Sequence, residues 1–214
     1  MRRERIDGKD TRQRLLAAAV ELFAEKGYWE ASNAEICERA GTNSASLNYH
    51  FGSKENMYVE AWKYAFSKSL EAHPPEGGVS ADAPASERLA GRIRAFIAQV
   101  ADPDTRDMDF AHKEMACPTG LLTEAIDEAT RPMREAFDAI LYELLGPTTD
   151  KQIIQYWQMS IMGLCFGPML HLRHIKKAPE AQRPKDFPSD VDVDAFAEHA
   201  VSLILAGLNT AKPK

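Results

Sequence analysis

Between Ser32 and Lys54 the chain carries small and hydrogen-bonding residues at a spacing suited to a polyanion. Two short helical stretches flank Ala40-Gly41-Thr42-Asn43, and Gly41 permits the sharp turn of a helix-turn-helix. Asn43 and Ser44 open the second stretch. There, unpaired backbone N–H groups and the positive end of the helix dipole favour a phosphate. The residues expected on the outer side, Ser44, Ala45, Ser46, Asn48, Tyr49 and His50, are small or carry donors and acceptors. A helix entering a DNA major groove needs such side chains, because base edges present donors, acceptors and the thymine methyl. Leu47 is the inward anchor, and Phe51 reads as a core aromatic. Tyr49 reads either as a DNA contact or as a second core aromatic. A glycine-centred helical hairpin alone also occurs in proteins that never touch DNA.

Periodicity supplies the elements that hold this segment. A first helix begins near Asp10 or Thr11, buries Leu15, Ala18, Ala19, Leu22 and Phe23, and ends at Gly27. Ser32 with Glu35 three residues later predicts a capping box, and Ile36, Cys37 and Ala40 form the buried side that follows. Asn43 or Ser44 caps the third helix, to about His50. Lys54 opens a longer helix to about Ala72, with Met57, Ala61, Tyr64, Ala65 and Phe66 among its packing residues. Pro and Gly residues between His73 and Ala85 mark a linker. Ser86 then caps a helix that ends at Pro103. A helix with Phe110, Met115 and Ala116 stops before Pro118. Periodicity resumes over 121–145 with a break or kink at Pro132, and over 150–170, where Gly163, Gly167 and Pro168 weaken its end. Residues 176–188 read as a polar loop, and the last helix follows Asp190 or Asp192 to about Leu208. The expected fold is all-α, with about nine helices. Residues 1–55 form a three-helix helix-turn-helix domain, and residues 56–214 a helical ligand-binding and dimerisation domain.

Composition excludes several classes. The 214 residues are 44% hydrophobic and 27% charged, as in an ordinary globular protein. No apolar run approaches the roughly 18 residues of a membrane span, and the basic N-terminus lacks the apolar run of a signal peptide. Cys37, Cys117 and Cys165 are too few and too scattered for a disulfide framework, so a cytoplasmic chain is expected. The net charge of −6 argues against nucleic acid until it is divided along the chain. Residues 1–70 hold 11 Lys/Arg against 10 Asp/Glu, and residues 71–214 hold 15 against 22. The acidity belongs to the second part. Arg2, Arg3 and Arg5 read either as a flexible arm for a minor groove or as a solvated tail.

The run Ala40-Gly41-Thr42-Asn43-Ser44-Ala45-Ser46-Leu47-Asn48-Tyr49-His50-Phe51-Gly52-Ser53-Lys54-Glu55 resembles the DNA-binding signature of TetR-family transcriptional regulators. Arg12 to Gly27, with Leu22-Phe23-Ala24-Glu25-Lys26-Gly27-Tyr28, resembles that family's first helix. Asn33 and Thr42 depart from its usual apolar residue and Val. The resemblance implies that Asn43, Tyr49 and His50 grip phosphates, that Ser44, Ala45 and Asn48 face bases, and that Lys54 meets the DNA backbone. Further along, His112-Lys113-Glu114-Met115-Ala116-Cys117-Pro118 and Arg131-Pro132 resemble the second domain of the CecR-like branch, with Lys113 in place of its usual Arg. Membership implies a homodimer on a palindromic operator in double-stranded DNA. It also implies a repressor released by a small-molecule effector, with no cofactor.

In the second part, Phe110, Met115, Met133, Phe137, Trp157, Met162 and Phe166 are candidates to line an apolar effector pocket, and equally serve as core. His112, Glu114 and His171 are candidates to orient a ligand. Ile153, Ile154, Trp157, Ile161, Leu164 and Cys165, with Phe196, Ala200, Leu203, Ile204 and Leu208, supply two apolar stripes for a dimeric four-helix bundle, or simply close the core. His171 and His174, joined by His112 or His199, form a weak metal constellation, and surface histidines are the plainer reading. No glycine-rich phosphate loop, nucleophile elbow or His/Glu zinc motif is present, so no enzyme is expected. The alternative to an effector-controlled regulator is a constitutive or partner-controlled DNA binder whose second domain only dimerises.

Overall fold

The computed structural model describes the backbone of residues 2–180 and 191–211. Among the described residues the chain is entirely helical, without strands: α1 (Arg2–Glu30), α2 (Asn33–Ala40), α3 (Ser44–Phe51), α4 (Lys54–Ala72), α5 (Ala85–Ala101), α6 (Arg106–Ala116), α7 (Thr123–Leu145), α8 (Lys151–Lys177) and α9 (Val193–Ala211). They form two compact units. The first takes Met1–Ser69 and Thr105–Ala129, and the second takes Leu70–Asp104 and Thr130–Lys214. The boundary expected at 55/56 follows the end of the DNA-binding motif. Packing instead keeps most of α4, all of α6 and the start of α7 with the first unit.

In the first unit α1 packs against α2, α3 and α6. Leu15, Ala19, Phe23, Ile36, Leu47, Met57 and Ala61 are fully enclosed. At about 25 cal/mol per Å² of apolar surface removed from water, such a cluster is the main favourable contribution holding the short helices α2 and α3. Phe23, Tyr58 and Phe110 meet ring to ring at its centre. In the second unit α5 packs against α8 and α9, burying Leu89, Ile93, Ile97 and Val100 from one side of α5. Arg173 of α8 is buried there, and its guanidinium donates to the carbonyls of Asp102 and Pro103 beyond the end of α5. A cation is favourable at that pole of the helix dipole.

Several element boundaries differ from those expected. α1 starts at Arg2, so the stretch holding Arg2, Arg3 and Arg5 has a helical backbone; the side chains of residues 1–7 lie outside the described residues. That stretch contains no Pro, and Gly8 costs a helix only about 1 kcal/mol. Helical structure resumes after Gly27, whose φ of 78° and ψ of 178° mark a kink rather than an end. α5 begins at Ala85 behind Pro84, one residue before the expected cap Ser86, and no side chain caps it. Pro132 does not break α7. α8 likewise runs through Gly163, Gly167 and Pro168 to Lys177. Met169, Leu172 and Ile175 are buried beyond the proline, and this apolar burial offsets the lost backbone bond. Tyr64, expected to pack, is exposed, whereas Tyr58 and Trp62 are the buried aromatics of α4. The polar loop expected over 176–188 falls largely outside the described residues.

Candidate nucleic-acid interface

The local chemistry of α2 and α3 fixes the turn between them. The Ser32 hydroxyl accepts from the Glu35 N–H at 3.2 Å, and the Glu35 carboxylate accepts from the Ser32 N–H at 3.0 Å, so the expected capping box forms. Lys26 also pairs with Glu35. Lys26 first, then Ser32, hold the Glu35 carboxyl down at about 2. Gly41 follows α2 with φ 63° and ψ 42°, the left-handed conformation that glycine adopts without a Cβ penalty. Arg14 of α1 donates to the Ala40 carbonyl at 3.0 Å, satisfying a second exposed end group.

Asn43 is the N-cap of α3, its side-chain carbonyl accepting from the Ser46 N–H at 3.0 Å. That oxygen is engaged, so the Asn43 amide NH₂ is the group with chemistry suited to a phosphate oxygen. Leu47 and Phe51 are buried on the inner side of α3. Ser44, Ala45, Asn48 and Tyr49 lie exposed, and His50 is half-buried with its ring against Tyr49 and Phe51. Tyr49 is 85% exposed, which removes the core reading for that ring.

Ser53 caps α4 by accepting from the Asn56 N–H at 3.2 Å. The Lys54 ammonium sits 4.4 Å from the centre of the Tyr28 ring, and burial lowers its pKa. Tyr28 in turn donates to Glu55 at 2.8 Å; burial, then this bond, push its hydroxyl up to about 12. Lys54 is therefore a held cation on an aromatic face. Tyr28 and Glu55 lie in the quoted runs, but their support of Lys54 is not legible there, because it depends on a meeting of α1 and α4 across 27 residues.

The remaining candidates scatter. Phe110 is fully buried between Phe23 and Tyr58 in the first unit and offers no surface to a ligand. Met115, also in the first unit, is exposed. Glu114 accepts hydrogen bonds from Tyr58 and Thr119, so it serves the protein's own donors. Met133, Phe137, Trp157, Met162 and Phe166 belong to the second unit, where Phe166 stacks on Phe96 and Met162 is exposed. Trp157 lines a cleft of about 630 Å³ in that unit, with Leu145, Thr148, Ile153, Tyr156 and Ser160. His112 is half-buried, His171 and His199 are exposed, and the His174 side chain lies outside the described residues. No group of three or more His, Cys, Asp or Glu among the described residues is placed to hold a metal ion.

Of the two readings of the apolar stripes on α8 and α9, burial favours core closure for most of their residues. Ile154, Ile161, Cys165, Ala200, Ile204 and Leu208 are buried within their own chain. The large apolar residues exposed on α8 and α9 are Ile153, Tyr156, Met159, Met162 and Leu203. Periodicity finds both sides of such a helix but does not say which one meets the rest of its own chain. No helix among the described residues is long and apolar enough to cross a membrane.

A capped helix-turn-helix with a polar outward helix, in a chain whose described residues are all helical or loop, has the form of a DNA-binding regulator, and the comparisons identify that class. Residues 15–61 match the model of bacterial regulatory proteins of the tetR family, and this chain belongs to that family of transcriptional regulators. Its residues 85–208 match the C-terminal domain of the HTH-type transcriptional dual regulator CecR. The CecR protein of Shigella flexneri is 29% identical over 151 residues, covering 66% of this chain and 67% of that protein. Matches to two further curated relatives span only 31% and 63% of their lengths. Among solved structures, the fatty acid degradation regulator FadR from Bacillus halodurans superposes with a TM-score of 0.66 at 18% identity, covering 92% of this chain and 96% of that one. AibR, solved with isovaleryl coenzyme A and operator DNA, gives 0.66 at 18% identity, covering 90% and 97%. At these identities the structural likeness establishes the fold.

Proposed function

We propose that the chain is a homodimeric repressor of a palindromic operator, released by a small-molecule effector bound in its second part. The observation that carries the DNA contact is the outward side of α3, where Ser44, Ala45, Asn48 and Tyr49 stand exposed above the buried Leu47 and Phe51. In this reading Ser44, Ala45 and Asn48 face bases, and Asn43, Tyr49, His50 and Lys54 hold phosphates. Residues 1–55 do the binding, and residues 56–214 dimerise and sense, in the cytoplasm where the operator lies.

Two recognition helices must stand about 34–36 Å apart to read successive major grooves on one side of DNA, and a symmetric dimer meets that requirement. The exposed Ile153, Tyr156, Met159 and Leu203 support a second copy on α8 and α9. The cleft beside Trp157 shares Ile153 and Tyr156 with that surface and is lined without charged side chains, so an uncharged effector held there would bear directly on the contact between copies. The effector acts only by as much as its affinities for two dimer geometries differ. α4, which runs from Lys54 to Ala72, is the natural lever.

In vitro selection from a random duplex library tests the reading. Enrichment of an inverted repeat is expected, and a pool no different from its input overturns it. A panel of uncharged small molecules titrated into the selected complex then separates an effector-released repressor from a constitutive binder, which no compound would release.

A further inference from the structure

We infer that Glu114 is a positioning residue for the DNA contact of Lys54, acting through Tyr58; this rests on the phosphate role proposed for Lys54. Glu114 lies in the last turn of α6. One of its carboxylate oxygens accepts from the Tyr58 hydroxyl at 2.8 Å and from the Thr119 hydroxyl at 2.8 Å. The other accepts from the Thr119 N–H at 3.0 Å. The Thr119 hydroxyl also accepts from the Leu121 N–H at 3.0 Å, so the carboxylate organises the turn that follows α6. Hydrogen bonds to an ionised acceptor are roughly twice as strong as neutral ones. Tyr58 is 1% exposed, so its hydroxyl has no water to turn to if the carboxylate is removed.

Tyr58 follows Lys54 by four residues on α4, which puts the two side chains on one side of that helix. Both also touch the same ring. The Tyr58 ring centre is 5.2 Å from that of Tyr28, and the Lys54 ammonium rests on Tyr28. Moving Tyr58 therefore disturbs the surface on which Lys54 is held. All of these residues lie within the first compact unit. Yet Glu114 and Thr119 fall inside the 85–208 match to the CecR C-terminal domain. The segment 105–129 thus belongs to the second domain by sequence and to the DNA-binding unit by packing. Glu114 is where a residue of the one sets a contact group of the other.

Proximity alone does not establish coupling, and a double-mutant cycle measures it. The full chain is titrated with a mixed-sequence duplex of about 30 base pairs at several salt concentrations, since phosphate contacts do not depend on sequence. Lys54→Ala is expected to weaken binding and lower the salt slope by about 1. Glu114→Gln, which replaces an acceptor by an NH₂ group, is expected to weaken binding about fivefold in the native background and less than about twofold on top of Lys54→Ala. Tyr58→Phe keeps the ring, removes the donor and is expected to follow the same pattern; it carries the cycle if Glu114→Gln does not fold. Equal weakening in both backgrounds would show a merely structural role and overturn the proposal, as would no weakening in the native background. If Lys54→Ala itself changes neither affinity nor slope, the phosphate contact is wrong and the proposal falls with it.

Discussion

The outer sides of α3 and α8 are built alike and expose opposite chemistry. Each helix buries one apolar side in its own unit, Leu47 and Phe51 on α3, Ile154, Ile161 and Cys165 on α8. Outward, α3 presents Ser44, Ala45 and Asn48, small and mostly polar, with one aromatic, Tyr49, whereas α8 presents Ile153, Tyr156, Met159 and Met162. Scattered exposed apolar residues need no explanation, but a stripe of four along one helix, beside Leu203 of α9, calls for a covering surface. A polar side offers hydrogen bonds to a polar partner, and an apolar side offers area to a second apolar side.

The comparison is sharpest at its anchors. Leu47→Ala removes a fully buried side chain and is expected to cost about 2–5 kcal/mol in chemical denaturation. Met159→Ala removes a side chain 71% exposed in the single chain and is expected to shift the stability of the isolated monomer by no more than about 0.5 kcal/mol. A similar cost at both positions, measured at dilutions where sedimentation shows a monomer, would show that α8 is not turned outward as described. Next in size is association. Tyr156→Glu is expected to weaken self-association by about 30-fold or more in sedimentation, the scale of a buried aromatic anchor. An unchanged dimer would move the interface elsewhere.

A smaller effect reports the α2 cap. Ser32→Ala is expected to cost about 1 kcal/mol, because it removes the acceptor for the Glu35 N–H. The Glu35 carboxyl should titrate at about 2 by carboxylate NMR. Its folded pKa is depressed, so its favourable contribution is present above the ordinary value of 4.5 and is lost as pH falls towards 2. A midpoint near 4.5 would mean that neither Lys26 nor Ser32 holds the carboxylate.

What was legible in the sequence is what short-range chemistry decides. The Ser32–Glu35 box, Gly41 and Asn43 act within one turn of their own helices, and the structure has each in its expected place. Tertiary packing decided the rest. Pro168 reads as weakening a helix that ends near residue 170, and the buried residues beyond it carry α8 on to Lys177. Phe110 looked like a pocket residue, but packing places α6 against α1 in the first unit. Which side of α8 faces out depends on where α5 and α9 lie, and no periodicity contains that.

The central claim is that α3 and the start of α4 divide the work on DNA, bases to Asn48 and phosphate to Lys54. Affinities of the native chain, Asn48→Ala and Lys54→Ala for the selected duplex and for a scrambled one test it directly. Asn48→Ala is expected to lose about 1–3 kcal/mol on the selected duplex alone, and Lys54→Ala to weaken both duplexes alike with a salt slope smaller by about 1. Equal loss on both duplexes for Asn48→Ala, or no loss for either variant, would contradict the claim.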